Sequence, residues 1–135
     1  MAITRLNPEG LHATPGYAHV TVVDAGRLAF LAGQCPLDAE GALAGPDLAA
    51  QTDQVAANTL VALAAVGAGP EHVVRTVIYV VTGTGDDTVL GDVWRRLLDS
   101  PLGPAFTTAS TLLGVARLGF TGQLIELDVT AALPA

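Results

Sequence analysis

The chain has 135 residues, half of them hydrophobic and 14% charged, with 13 acidic residues against six basic ones, all arginine, for a net charge of −7. That length fits a single domain, residues 1–135, able to bury roughly two thirds of its unfolded surface, and the composition excludes disorder. An isoelectric point near 4.5 and no basic cluster beyond Arg95-Arg96 leave nothing to neutralise a phosphate backbone, so no nucleic-acid partner is expected.

Alternation marks the first third as sheet. Ile3 to Leu6 reads as a short edge strand, followed by a turn at Asn7-Pro8-Glu9-Gly10. His19 to Val23 and Leu28 to Gly33 are β-rich runs, and Asp24-Ala25-Gly26-Arg27 between them suits a hairpin turn. From Cys35 to Pro46 the chain reads as loop. Asp47 stands where a helix begins, and Leu48, Thr52, Val55, Thr59, Leu63 and Val66 recur at steps of three and four up to the stop signal Gly67-Ala68-Gly69-Pro70. Val73 to Val81 is a β-branched run of the kind found in buried central strands.

A turn at Gly83-Thr84-Gly85 leads to Asp86-Asp87, well placed for the first turn of a second helix. That helix carries Val89-Leu90, Val93-Trp94 and Leu97-Leu98 on one side, and Ser100-Pro101-Leu102-Gly103-Pro104 ends it. Two strands follow, Ser110 to Ala116 and Leu124 to Thr130, around a loop from Arg117 to Gln123. The order predicts an α+β fold with both helices on one face of a mixed sheet. The other face of so aliphatic a chain needs cover, which predicts a homo-oligomer.

The longest runs without a charge, Gln54 to Pro70 and Ser100 to Ala116, are interrupted by polar residues, glycine and proline and fall short of the ~20 apolar residues of a membrane span. The N-terminus shows no signal pattern, so the expected location is cytoplasmic. One cysteine, Cys35, and three scattered histidines make no metal site at ligand spacing, and no cofactor is implied.

Several segments together resemble the RidA/YjgF family: Asn7-Pro8, Gly16-Tyr17-Ala18-His19, Phe30-Leu31-Ala32-Gly33-Gln34-Cys35-Pro36-Leu37-Asp38, Gln51 with Asn58, Val73 to Val77, Gly114 to Leu118, and Leu124 to Val129. The resemblance spans nearly the whole chain. It implies a chorismate-mutase-like fold, a homotrimer, a ligand cleft at each subunit interface and the hydrolysis of reactive imines and enamines. It further implies an arginine early in the penultimate strand that clamps a substrate carboxylate, and a glutamate on the last strand that activates water. Glu126 matches the glutamate. The arginine position holds Ser110, or Phe106 in an alternative register, so this chain diverges from the family at the clamp. A serine hydroxyl replaces one hydrogen bond and no charge.

The resemblance casts Glu126 as the catalytic general acid or base, where strand alternation alone reads it as a solvated carboxylate. Tyr17 lies in a segment that the family uses as a flap over a neighbouring subunit's cleft, to stack on a ligand or simply to pack at the rim. Gly33 and Gln34 offer backbone N–H groups to a ligand. Cys35 reads as a small buried hydrophobe or a nucleophile. Ser110 and Thr111 are cleft donors or ordinary strand residues, Arg117 is a compensating cation or a solvated one, and Trp94 reads as core. Two functions follow: an enzyme acting on a small imine, enamine or enol-type intermediate, or a trimer on the same scaffold that binds a small molecule or a partner without catalysis.

Overall fold

The computed structural model describes residues 1–24, 26–83 and 88–134. Six strands and two α-helices occur among them, in the order β1 (Ala2–Leu6), β2 (Val20–Asp24), β3 (Arg27–Phe30), α1 (Leu48–Ala65), β4 (Val73–Val81), α2 (Thr88–Asp99), β5 (Ala109–Val115) and β6 (Ile125–Leu133). Ala25 in the proposed hairpin turn, the Thr84-Gly85 part of the second turn and the Asp86-Asp87 pair lie outside the described residues.

The main sheet has the order β3-β6-β4-β5, with β4 and β5 parallel and the other neighbours antiparallel. Its mixed character follows from the chain path: a parallel return to β4 needs a long crossover connection, and the segment containing α2 supplies it. Directly paired residues point to one side, so register sorts the strands into two faces. Ile78, Val80, Ile125, Leu127 and Val129 are at most 1% exposed and pack with Val55 and Leu63 of α1 and Val93 and Leu97 of α2. Both helices therefore cover the same face. Arg75, Val77, Tyr79, Thr111, Glu126 and Asp128 point to the other, which no helix among the described residues covers.

Helix α1 begins where Asp47 caps it, the Asp47 carboxylate accepting from the Ala50 N–H at 2.7 Å. This supplies a partner for one of the donors that a helix leaves open at its first turn. At its far end Gly67 takes a φ of +73°, which ends the helix in a conformation that favours glycine. Short 3-10 turns, Pro70–His72 and Gly103–Thr107, lead into β4 and β5.

The expected hairpin between the second and third strands does not form as a pairing. β2 pairs with β1 in a separate two-stranded ribbon, and β3 pairs with β6. The ribbon is fastened at the starts of β4 and β5: Arg5 donates to the Glu71 and Val73 carbonyls, and the Thr21 hydroxyl lies 2.6 Å from that of Thr108. The third strand also ends at Phe30 and not at Gly33. The last strand runs on to Leu133 because Arg27 to Phe30 supply its partners from Thr130 to Leu133.

Candidate functional site

Glu126 and Asp128 are the two carboxylates in the otherwise apolar first half of β6, and alternation turns Glu126 away from the helices, opposite Tyr79. Three neighbours hold the Glu126 head. The Cys35 thiol donates to Oε1 at 3.3 Å, and Gln123 Nε2 donates to the same oxygen at 3.1 Å. Gly33 lies directly beneath, with the Glu126 Cδ only 2.9 Å from where a methyl on Gly33 would stand. Oε2 accepts no hydrogen bond among the described residues.

The loops that bring these neighbours in are set by amides of α1. Asn58 Nδ2 donates to the carbonyls of Cys35 (3.0 Å) and Leu37 (2.9 Å), which fixes the segment carrying Cys35. Gln51, fully buried, donates to the Gly45 and Gly122 carbonyls and accepts from the Leu124 N–H at 2.7 Å. A buried amide with each bond made specifies geometry strongly, since any shift strands a polar group. Gln34 is tied by its backbone: its N–H donates to Leu127 O at 2.7 Å, and Leu127 N–H donates back to its carbonyl at 3.1 Å. The Gln34 N–H is thus committed to β6.

Burial, above all, raises the Cys35 thiol pKa, and the Glu126 carboxylate raises it further by hydrogen bond and charge, while the Gln123 amide opposes them. Cys35 is therefore held as a neutral donor and not as a thiolate nucleophile.

Tyr17 and Ser110 sit elsewhere. They line a cavity of about 560 Å³ on the helix side of the sheet, with Trp94, Leu98 and Leu112. The Tyr17 ring meets Trp94 edge-on at 6.0 Å, and Trp94 meets Phe106 at 5.8 Å. The Pro15-to-Tyr17 segment lies over α2 of its own chain, with the Trp94 indole N–H directed at the Pro15 carbonyl, 3.4 Å away. His12 Nε2 is 2.6 Å from the Tyr17 hydroxyl. The Ser110 hydroxyl accepts from Thr76 at 2.6 Å and donates to the Thr108 carbonyl at 3.1 Å.

Ser110 pairs with Thr76, which pairs with buried Val129, whereas Glu126 pairs with Tyr79. Ser110 and Glu126 consequently point to opposite faces of the sheet. Thr111 faces the Glu126 side but stands two strands away, where its hydroxyl accepts from Arg75 at 2.8 Å. The candidate residues thus form two groups within one chain: Gly33, Gln34, Cys35 and Glu126 in one, Tyr17 and Ser110 in the other. Gln123 was not foreseen as a site residue, because only the fold brings the last loop residue onto a carboxylate three positions on. Trp94 proves to be core and cavity wall together.

Arg117 lines a different hollow with Phe120 and Leu124, apart from Ser110. Among the described residues, no group of three or more His, Cys, Asp or Glu is placed to hold a metal ion, and no helix is long and apolar enough to cross a membrane.

The chain is similar to known proteins along most of its length. Residues 9–133 match a family model described as Endoribonuclease L-PSP. Protein DfrA of Myxococcus xanthus is 40% identical over 118 residues, covering 85% of this chain and 83% of that protein. Among solved structures, the Rid-family protein YyfB of Yersinia pestis is 33% identical with a TM-score of 0.85, covering 98% of this chain and 100% of that one. A YjgF-family protein from Mycobacterium tuberculosis is 26% identical with a TM-score of 0.62, covering 98% and 100%. With a family model spanning nearly the whole sequence and a Rid-family fold shared end to end, the chain belongs to the RidA/YjgF family.

Proposed function

We propose that this protein acts on a small reactive metabolite, an imine, enamine or enol-type intermediate, with Glu126 as the general acid and base in a cleft that a second subunit of a homotrimer completes. The observation that carries this reading is the asymmetry of the Glu126 carboxylate. Oε1 is fixed by Cys35 and Gln123, whereas Oε2 accepts no hydrogen bond among the described residues and can take a proton. In imine hydrolysis Oε2 would take a proton from water as its oxygen bonds to the imine carbon and the C=N electron pair moves to nitrogen. The carboxyl returns that proton to nitrogen to give the carbinolamine. The carboxylate then takes the carbinolamine hydroxyl proton and passes it to nitrogen as the C=O bond forms, the C–N bond breaks and the amine departs.

Two further points shape the reading. The Ser110 hydroxyl is committed to Thr76 and Thr108, so β5 supplies no carboxylate clamp, and standard 2-iminoacid hydrolysis is disfavoured. The family description names RNA cleavage, but a chain with six cations and a net charge of −7 favours a small substrate over a polyanion. The oppositely facing site groups support a cleft made from two copies.

The test is hydrolysis of a panel of small preformed imines, with and without a carboxylate, by the wild type and Glu126→Gln. The variant is expected to keep its oligomeric state by light scattering and to lose at least about a hundredfold in kcat, as for removal of a general acid–base group. Full activity in the variant would remove Glu126 from the chemistry. Saturable binding without turnover by the wild type would favour a non-catalytic binding protein.

A further inference from the structure

The cavity between Tyr17, Trp94 and Ser110 is walled by groups whose polar atoms are already engaged. The Tyr17 hydroxyl has His12, the Trp94 N–H faces the Pro15 carbonyl, and the Ser110 hydroxyl has Thr76 and Thr108. Leu98 and Leu112 add only hydrocarbon. The single charged residue of the lining is Arg95.

Four of the six arginines have partners: Arg5 and Arg27 donate to backbone carbonyls, Arg75 donates to Thr111, and Arg96 grips Asp53 with two bonds of 2.8 and 2.7 Å. Arg95 has no hydrogen bond or ion pair among the described residues. Its helix neighbours Asp92 and Asp99 line the adjoining groove with it, yet neither is within ion-pair distance.

Gly91, one turn before Arg95, lines the same cavity. A glycine inside a helix costs about 1 kcal/mol relative to alanine. Nothing lies within 4 Å of where its Cβ would stand, so no close contact requires glycine there. What its missing side chain provides is open space at the cavity.

We infer that this cavity takes a small carboxylate with a flat apolar body, the body lying against Tyr17 and Trp94, the carboxylate bound by Arg95, and Gly91 keeping the entrance open. The inference rests on the proposed function in taking this cavity as the substrate half of the cleft. It adds the substrate class, and it moves the anion anchor from the sheet to α2. A cavity of about 560 Å³ is within the range of roughly 300–1,000 Å³ common for small-molecule sites.

Trp94 is the one tryptophan of the chain, so its fluorescence reports the cavity directly. The probes are phenylacetate and its neutral analogue phenylacetamide, titrated into the intact wild type, Arg95→Gln, Gly91→Leu and Glu126→Gln. In the wild type phenylacetate is expected to bind about tenfold tighter than the amide, as for one charge-assisted pair. Arg95→Gln should bring that ratio to about one and leave the amide's affinity unchanged. Gly91→Leu should weaken both probes while raising the melting temperature, a combination that a purely structural glycine would not produce. Equal affinities in the wild type, or an unchanged ratio in Arg95→Gln, would overturn the anchor; unchanged affinities in Gly91→Leu would overturn the entrance. Glu126→Gln should keep the wild-type ratio. Discrimination between the probes together with full turnover in Glu126→Gln would sink the catalytic reading alone, whereas no discrimination with turnover lost would sink this one alone.

Discussion

The two faces of the four-stranded sheet are made by alternate residues of the same strands, yet they follow different rules. On the helix side, Ile78, Val80, Ile125, Leu127 and Val129 are sealed from water. On the other side, Tyr79, Glu126 and Asp128 are partly exposed, Arg75 and Thr111 are exposed, and Phe30 at the end of β3 is 75% exposed. The covered face obtains stability from close packing. The bare face holds the carboxylate that the proposed chemistry needs, and the apolar residues around it await another surface. Glu126 can be polar and accessible because its immediate neighbours in β6, Ile125 and Leu127, carry the core in its place. A slip of one residue would exchange the two sets.

The largest effect that tests this division is on stability. Leu127→Ala removes a fully buried side chain between α1, α2 and β4, and is expected to cost about 3 kcal/mol in denaturant unfolding. Phe30→Asp on the bare face should leave the unfolding of the isolated subunit nearly unchanged. It should instead shift the protein toward smaller species in light scattering at fixed concentration. If the two substitutions destabilise folding equally, the faces do not differ as described.

Much of this division was legible in the sequence. The Val73–Val81 strand has the boundaries that its β-branched run predicts, and Asp47 caps α1 as its position ahead of the apolar repeat predicts. The α+β order and the shared face of the two helices also match the reading. Strand pairing was less legible. Alternation in His19 to Val23 identifies a strand but carries no information about its partner, and β2 found β1 where the short Asp24-to-Arg27 link suggested β3.

At the site, Glu126 stood out because it matches the glutamate of the family resemblance; the strand pattern alone read it, like Asp128, as a solvated carboxylate. Gln123 and the buried Gln51 did not, since an amide has no charge or spacing signal, and its value here depends on loops distant in sequence. Ser110 and Thr111 show the opposite case. Strand parity alone separates their faces, although a shared family segment invites them to be read together.

A smaller effect concerns Gly33, on the Glu126 side. A methyl there runs into the Glu126 carboxylate, which is the far end of a flexible side chain and can move aside. Gly33→Ala should therefore leave the melting temperature near that of the wild type. The displaced carboxylate would give up its bonds to Cys35 and Gln123, and turnover of the imine panel should fall by about 10- to 100-fold, the scale expected when a reacting group is misplaced by about 1 Å. Unchanged turnover would show that the position of this carboxylate is not what the site depends on.

The smallest effect is on the thiol, and it separates burial from charge at the same corner. Because the folded protein raises the Cys35 pKa, the pH midpoint for alkylation by iodoacetamide should lie above the ordinary thiol value of about 8.5. Glu126→Gln removes the negative charge, so the midpoint should fall; it should stay above the ordinary value, since burial is the larger cause and is retained. Gln123→Ala removes the one influence that favours the thiolate, and should move the midpoint up. The linkage has a definite sign: the folded state holds its proton to higher pH than the unfolded chain. The associated stability is complete below about 8.5 and is lost as pH rises through the raised folded value. A midpoint at or below about 8.5 in the wild type would mean that neither burial nor the Glu126 carboxylate holds the proton on Cys35, and the corner would not be the desolvated, carboxylate-facing one described.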